Sequence, residues 1–326
     1  MKGMKAEAII RKSIGSVNSV INIIVLTVII LLLAFAGYAL WDSEQIHQAA
    51  DKSHYAVYKP NTEDGGKSFK ELQSVNADIF AWLSVYGTNI DYPVTQGQDN
   101  IKYINTNAEG CYSLSGAVFL DYNNSKNFSD FSSILYGHHM EKKKMFGEIG
   151  EFSDKDVFDS HQYGNLHFDG KDHGIEFFAF VHTDAYDSMV FNPNVKEEER
   201  QIFLDNLLAK AVHKRDIDIT TEDNIILLST CSSGSTNGRD ILAGKISGDI
   251  YSDPFNKTGA NDRKEQLYVD NRRGFLEKIP RWLLWPAGTL TVLLPALILV
   301  IKRKRKQHKE KFLLNFSYRN RSEADI

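Results

Sequence analysis

The sequence predicts a mainly β domain, a closed barrel with helices on its outside, held between two membrane-spanning segments. Three observations carry that prediction: two long uncharged apolar stretches near the ends of the chain, a series of short strand-like runs between them, and one helical pattern interrupting that series. With 326 residues, 42% hydrophobic and 25% charged, the chain can bury one ordinary core and still leave segments over.

In chain order, residues 1–16 read as a cytoplasmic N-terminus and 17–41 as a membrane helix. No charge occurs between Ser13 and Trp41, and Val20 to Leu40 is almost wholly aliphatic, long enough as a helix to cross about 30 Å of hydrocarbon. A cleaved signal peptide would have a shorter apolar region, about 7 to 15 residues, ending at a small-residue cleavage site, and none is evident. Residues 42–66 read as a helical stalk closing in the turn Asn61-Thr62-Glu63-Asp64-Gly65-Gly66.

An exterior domain then spans 67–252. Phe69, Leu72, Val75, Ile79 and Trp82 recur near helical spacing and predict one helix with a face on the core. Strand signals follow at Ile90–Val94, Gly116–Leu120, Ser133–Tyr136, Ile175–Val181, Asn224–Leu228 and Asp240–Ile246, separated by turn residues. Between the fourth and fifth of these, a helix over Lys196–Lys214 begins after Pro193 and puts Phe203, Leu207, Leu208 and Val212 on one face. Strands on either side of it place that helix outside a barrel.

Residues 253–281 form a linker and 282–301 a second uncharged stretch, whose Pro286 and Pro295 a membrane helix tolerates where neighbouring groups satisfy the freed carbonyls. The basic tail 302–326 begins Lys302-Arg303-Lys304-Arg305-Lys306 and acts as a stop-transfer anchor. Lys2, Lys5, Arg11 and Lys12 precede the first span, and cytoplasmic flanks collect Lys and Arg, so both termini should face the cytoplasm and the domain between them the exterior. The formal charge is −4, so with both basic ends inside, the exterior part is strongly acidic and a poor partner for nucleic acid.

Only two cysteines are present, which excludes a disulfide-stapled scaffold. A single bridge is conceivable, but Cys231 ends the apolar run Ile225–Leu228 through Ser229-Thr230 and has a nucleophile's surroundings, whereas Cys111 reads as a loop residue with a packing role. Arg239 follows a few positions later, and the run Ile134-Leu135-Tyr136 ends in Gly137-His138-His139. A cysteine attacks as thiolate, which a nearby imidazole or guanidinium favours. His138 is the natural acid and base, and Arg239, always protonated, can only stabilise negative charge. Each residue alone has an ordinary reading as packing, surface polarity, metal ligand or solvated charge; their joint occurrence at strand ends points to acyl transfer through a thioester.

Leu228-Ser229-Thr230-Cys231 followed by Arg239, with Tyr136-Gly137-His138, resembles the active-site pattern of sortases, the membrane-anchored transpeptidases of Gram-positive bacteria. Asn89–Val94, Asp99-Asn100 with Tyr103, Gly116–Tyr122 and the helix after Pro193 look like the class B subgroup, and the resemblance covers Phe69 to Ile250. It implies an eight-stranded sortase barrel with peripheral helices. It also implies that Cys231 attacks the threonine carbonyl of a pentapeptide sorting signal on surface proteins and passes the acyl group to an amine, on a peptidoglycan precursor or a pilin lysine. Carried over, Cys231 is the nucleophile, His138 the acid and base, Arg239 the oxyanion or substrate anchor, and Ser229 and Thr230 line the site. No cofactor and no metal are implied. A second span departs from class B and is more typical of the pilin-polymerising class C, whose Asp-Pro-aromatic lid precedes the barrel; Asp253-Pro254-Phe255 follows it here. A hydrolytic cysteine peptidase and a non-catalytic membrane-tethered scaffold are the competing functions.

Overall fold

The computed structural model describes residues 2–60, 67–232 and 236–255. The expected second span, the basic tail and most of the preceding linker lie outside the described residues.

Helix α1 (Lys2–Ala49) is one uninterrupted helix. Within it Ser13–Ala49 is long and apolar enough to cross a membrane, and its most apolar window has no face buried in the protein. Its end is different: Ala50 and Tyr55, just beyond it, are 1% and 4% exposed and belong to the main core. Helix α2 (Lys67–Val75) follows. It buries Phe69 and Leu72 and leaves Val75 exposed.

The helical reading of Phe69 to Trp82 is therefore correct only in its first half. Ile79 and Trp82 sit in strand β1 (Ile79–Val85). Residues three apart lie on opposite faces of a strand, and both are buried because β1 is covered on both faces, which lets a strand imitate a helical spacing. The break comes at Asn76, whose Oδ1 accepts from Asp78 N and whose Nδ2 donates to Tyr103 Oη and Ala108 O.

Strands β2 (Asp91–Thr95), β3 (Val118–Leu120) and β4 (Ser132–Tyr136) come next. The short pair β5 (His139–Met140) and β6 (Lys144–Met145) leads to helix α3 (Lys155–Ser160). Then come β7 (Tyr163–Phe168), the long β8 (Lys171–Asp184), helix α4 (Arg200–Ala209), β9 (Ala211–Lys214), β10 (Ile225–Cys231) and β11 (Gly238–Ser247).

The main sheet runs β11-β10-β4-β3-β2-β1-β7-β8, and β8 pairs again with β11, so eight strands close into a barrel. Strand β9 is a ninth, paired to β8 at Ala179–Val181 beyond the reach of β7. The helix expected over Lys196–Lys214 is thus shorter. Its α-helical part stops at Ala209, and Val212, on the expected apolar face, is 51% exposed in β9. The unpaired edge of β8 offers hydrogen bonds that a further helical turn would forgo.

Alternation along the strands builds two cores. Leu135, Leu228 and Leu242 face the larger cluster, while Ile134, Leu227 and Ile241 face Phe203, Leu204 and Leu207 of α4. Burying those three α4 side chains contributes about 1.5–3 kcal/mol each and fixes the helix outside the barrel, as expected.

Candidate active site

Strands β10 and β4 are parallel, with Ser229 opposite Tyr136. Parallel strands end on the same side, so Cys231 and His138, each two residues further on, emerge at one rim of the barrel. Gly137 N donating to Ser229 O (3.2 Å) extends the ladder by one step toward them. Antiparallel pairing of β10 with β11 sets Cys231 directly opposite Arg239, and β11 with β8 sets Arg239 opposite Thr183. Three segments far apart in sequence therefore converge, and all three side chains line one cavity of about 340 Å³.

Cys231 is exposed and unbridged, and so is Cys111, which removes the single-disulfide reading. Cys111 is a loop residue, as expected, but exposed and not packed as a buried residue; its backbone N–H donates to Asn107 Oδ1. His138 is half-buried and its Nε2 lies 2.7 Å from Ile104 O. A carbonyl only accepts, so in this contact Nε2 carries the proton and Nδ1 is the other ring nitrogen. Gly116 makes that approach possible. Its φ of +59° is left-handed, and a Cβ there would lie 2.5 Å from Tyr103 O, 2.6 Å from Ile104 O and 3.1 Å from His138 Cδ2. His139 points elsewhere, into a separate cavity of about 620 Å³ that contains none of the three residues.

Arg239 donates to Gly238 O (2.9 Å) and forms no ion pair among the described residues. Ser229 and Thr230 line the same cavity, each 2% exposed, and their hydroxyls have no hydrogen-bond partner among the described residues. Each hydroxyl can donate or accept a hydrogen bond at the cavity.

Sequence reasoning did not assign the rest of the wall. Asn100, Ile104, Phe119, Tyr136 and Phe191 also line the cavity. The rings of Phe119 and Phe191 flank Tyr136 at 5.3 and 6.4 Å. Beneath them is Asp121, 4% exposed, whose Oδ2 accepts from Asn100 Nδ2 (2.7 Å) and Tyr136 Oη (3.1 Å). Burial first and the Asp121 charge next push the Tyr136 phenol above its ordinary pKa, with Arg239 opposing, so Tyr136 stays a neutral donor. The available signal was the Asp99-Asn100 and Tyr136-Gly137-His138 stretches themselves.

No family model matches the chain. A sortase B from Staphylococcus aureus (strain NCTC 8325 / PS 47) is 30% identical over 182 residues, which cover 55% of this chain and 74% of that protein. The chain belongs to the class B sortases. A sortase B of Listeria monocytogenes serovar 1/2a (strain ATCC BAA-679 / EGD-e) is 27% identical over 217 residues, 64% of this chain and 88% of the relative. Among solved structures, a Streptococcus pyogenes class B sortase described as involved in pilus biogenesis is 43% identical, with a TM-score of 0.51 over 55% of this chain and 97% of its own. This class B sortase is thus a cysteine transpeptidase, and the eight-stranded closed barrel is the sortase fold. Asp253-Pro254-Phe255 is no lid: Phe255 stacks on His161 (4.8 Å, 14°) and does not line the cavity of Cys231.

Proposed function

We propose that Cys231 is the nucleophile, His138 the acid and base, and Arg239 the oxyanion anchor of a sortase that cleaves a C-terminal sorting signal and transfers the acyl group to an amine. The observation that carries this reading is the shared cavity at one barrel rim. The thiolate of Cys231 attacks the scissile carbonyl, and the oxyanion that forms draws hydrogen bonds from Arg239, whose charge no carboxylate neutralises among the described residues. The C–N bond breaks as His138 protonates the leaving amine, which leaves a thioester. His138 then takes a proton from the acceptor amine, the new C–N bond forms, and the C–S bond breaks to return the thiolate. Ser229 and Thr230, buried with unpaired hydroxyls, supply donors to the bound signal peptide.

The membrane address rests on α1, which is long and apolar enough to span, with the barrel on the exterior side and both termini cytoplasmic by the distribution of basic residues. Residues 17–41 form the anchor in this reading, 67–252 the catalytic domain, and 282–301 the second span. A pilus-building role is the second reading, favoured by the 43% identity to the Streptococcus pyogenes enzyme. There the acceptor is a pilin lysine, whereas in wall anchoring it is a peptidoglycan-precursor amine.

The test is to incubate the protein with a sorting-peptide library and either acceptor, and to read adducts by mass spectrometry. A thioester on Cys231, absent from Cys231→Ala and trapped without amine, is expected. Full turnover by water alone with no gain from amine would mean a hydrolytic peptidase, and undiminished activity of Cys231→Ala a scaffold.

A further inference from the structure

The turn that follows His138 is strained, and much of what holds it is the end of α1 and the residues just beyond it. Among the described residues, the non-glycine positions with left-handed φ are Phe128, Lys142, Lys143, Met145 and Asp169, so two of the five lie in the turn joining β5 and β6 and a third at the end of β6. Each costs about 1–2 kcal/mol for an L-residue and persists only where the surroundings over-determine it.

Lys143 is held locally, by Glu151 (2.8 Å) and Glu148 (3.5 Å); the contacts of Lys142, Lys144 and Met145 lead to residues 44–51. Lys144 pairs with Asp51, and Lys142 Nζ with Glu44 Oε2 at 2.6 Å. Met145 N donates to Tyr92 Oη (3.1 Å), which in turn donates to Ala50 O (2.9 Å). The last chain is buried: Tyr92 and Ala50 are each 1% exposed. Exposure ranks these contacts. The Lys142–Glu44 pair is about half exposed on both sides and contributes little, whereas Lys144–Asp51 is 20% and 34% exposed and the Tyr92 chain is fully desolvated.

Two contacts carry the turn's position back to the histidine. Phe146 N donates to His138 O at 3.0 Å. The Phe146 ring, wholly buried, lies so close under Gly137 that a Cβ there would sit 2.7 Å from it. A displaced turn therefore moves the backbone of residues 137 and 138, and with it the imidazole.

We propose that Asp51 and Tyr92 are positioning residues for His138, so that the foot of the membrane anchor forms part of the active-site scaffold. Neither touches substrate or the reacting atoms. The role rests on the reading of His138 as acid and base. It also sets a functional limit for any soluble form, since removing residues through Asp51 would take away the contacts that hold the turn.

The test uses the full chain in detergent, with single-turnover thioester formation on a sorting peptide. Asp51→Asn and Tyr92→Phe should each lower the saturating acylation rate about tenfold, the order expected for sub-ångström misplacement of a reacting group, with KM changed less than about twofold. Asp51→Lys should lose as much, and Asp51→Lys with Lys144→Asp should recover most of it. A fall in rate with KM and melting point unchanged is the readout that a merely structural role would not give, and recovery on charge exchange assigns the fall to the Asp51–Lys144 pair. Saturating rates equal to wild type in Asp51→Asn and Tyr92→Phe, or a swap no better than Asp51→Lys alone, would overturn the proposal. If His138→Ala itself forms thioester normally, it is the assignment of His138 that fails.

Discussion

Replacing Asp121 tests whether the cavity wall is held by its buried carboxylate. Asp121 Oδ2 holds Asn100 and Tyr136, and Oδ1 accepts from the backbone and side chain of Asn123 at 3.0 and 3.2 Å. Asp121→Ala strips acceptors from all of them. Each buried donor left unpaired costs about 1–3 kcal/mol. Asn100 and Tyr136 are only part-buried and can recruit water, so about 1–3 kcal/mol in total is the realistic loss. At about 2–4 °C per kcal/mol for a domain of this size, the melting point should fall by about 2–12 °C. The catalytic effect should be separate: with the Tyr136 ring no longer tethered between Phe119 and Phe191, KM for the sorting peptide should rise about tenfold, for a contact worth about 1.4 kcal/mol. Calorimetry and steady-state kinetics at varied peptide concentration measure the two. A variant that melts lower but keeps KM would show that Asp121 serves stability alone, and the wall argument would be wrong.

Arg239→Ala should lower turnover by about a hundredfold or more, as for loss of an oxyanion donor; near-normal turnover would remove Arg239 from the mechanism. Gly116→Ala should cost at least about 1–2 kcal/mol from the left-handed φ alone and should lower acylation as Ile104 O shifts under His138, measurable by denaturant midpoint and single-turnover kinetics. Asp187 is raised by burial, but Lys210, Thr183 and the Val190 N–H outweigh that and hold its carboxyl below the usual 3.8. Its stabilisation is therefore complete above that value and lost as pH falls through the lower folded pKa; Asp187→Asn should flatten the acid limb of stability against pH, and an unchanged limb would refute it.

The residues that share the cavity were more legible than the path of the chain. Cys231, His138 and Arg239 stand at the ends of runs whose apolar character is visible locally, and strand ends are where a barrel exposes side chains. What sequence could not supply was pairing. Nothing in Ile225–Cys231 announces that its neighbour is β4, nearly a hundred residues away, and that parallel pairing is what brings His138 to Cys231. The errors have one physical cause. In Ile79–Val85 and Ala211–Lys214 a spacing of three or four residues suited a helix, and only the neighbouring strands decided otherwise. Asp121 escaped notice because its function lies in contacts with residues 21 before and 15 after it, which no local pattern records.

Arg239 shows why those pairings matter for chemistry as well as for fold. It lies where β11 closes the barrel, between Cys231 on β10 and Thr183 on β8. Two buried carboxylates nearby are already engaged, Asp121 by Asn100 and Tyr136 and Asp240 by His182. A guanidinium that is half-buried with no anionic partner among the described residues is an unfavourable arrangement for stability. It becomes favourable when a thiolate or an oxyanion enters the cavity, because the positive field is already in place and no group needs to reorganise as the charge develops. In the proposed mechanism, the barrel's closing seam thus holds a positive charge, unpaired among the described residues, beside Cys231 where acyl transfer would produce a negative one.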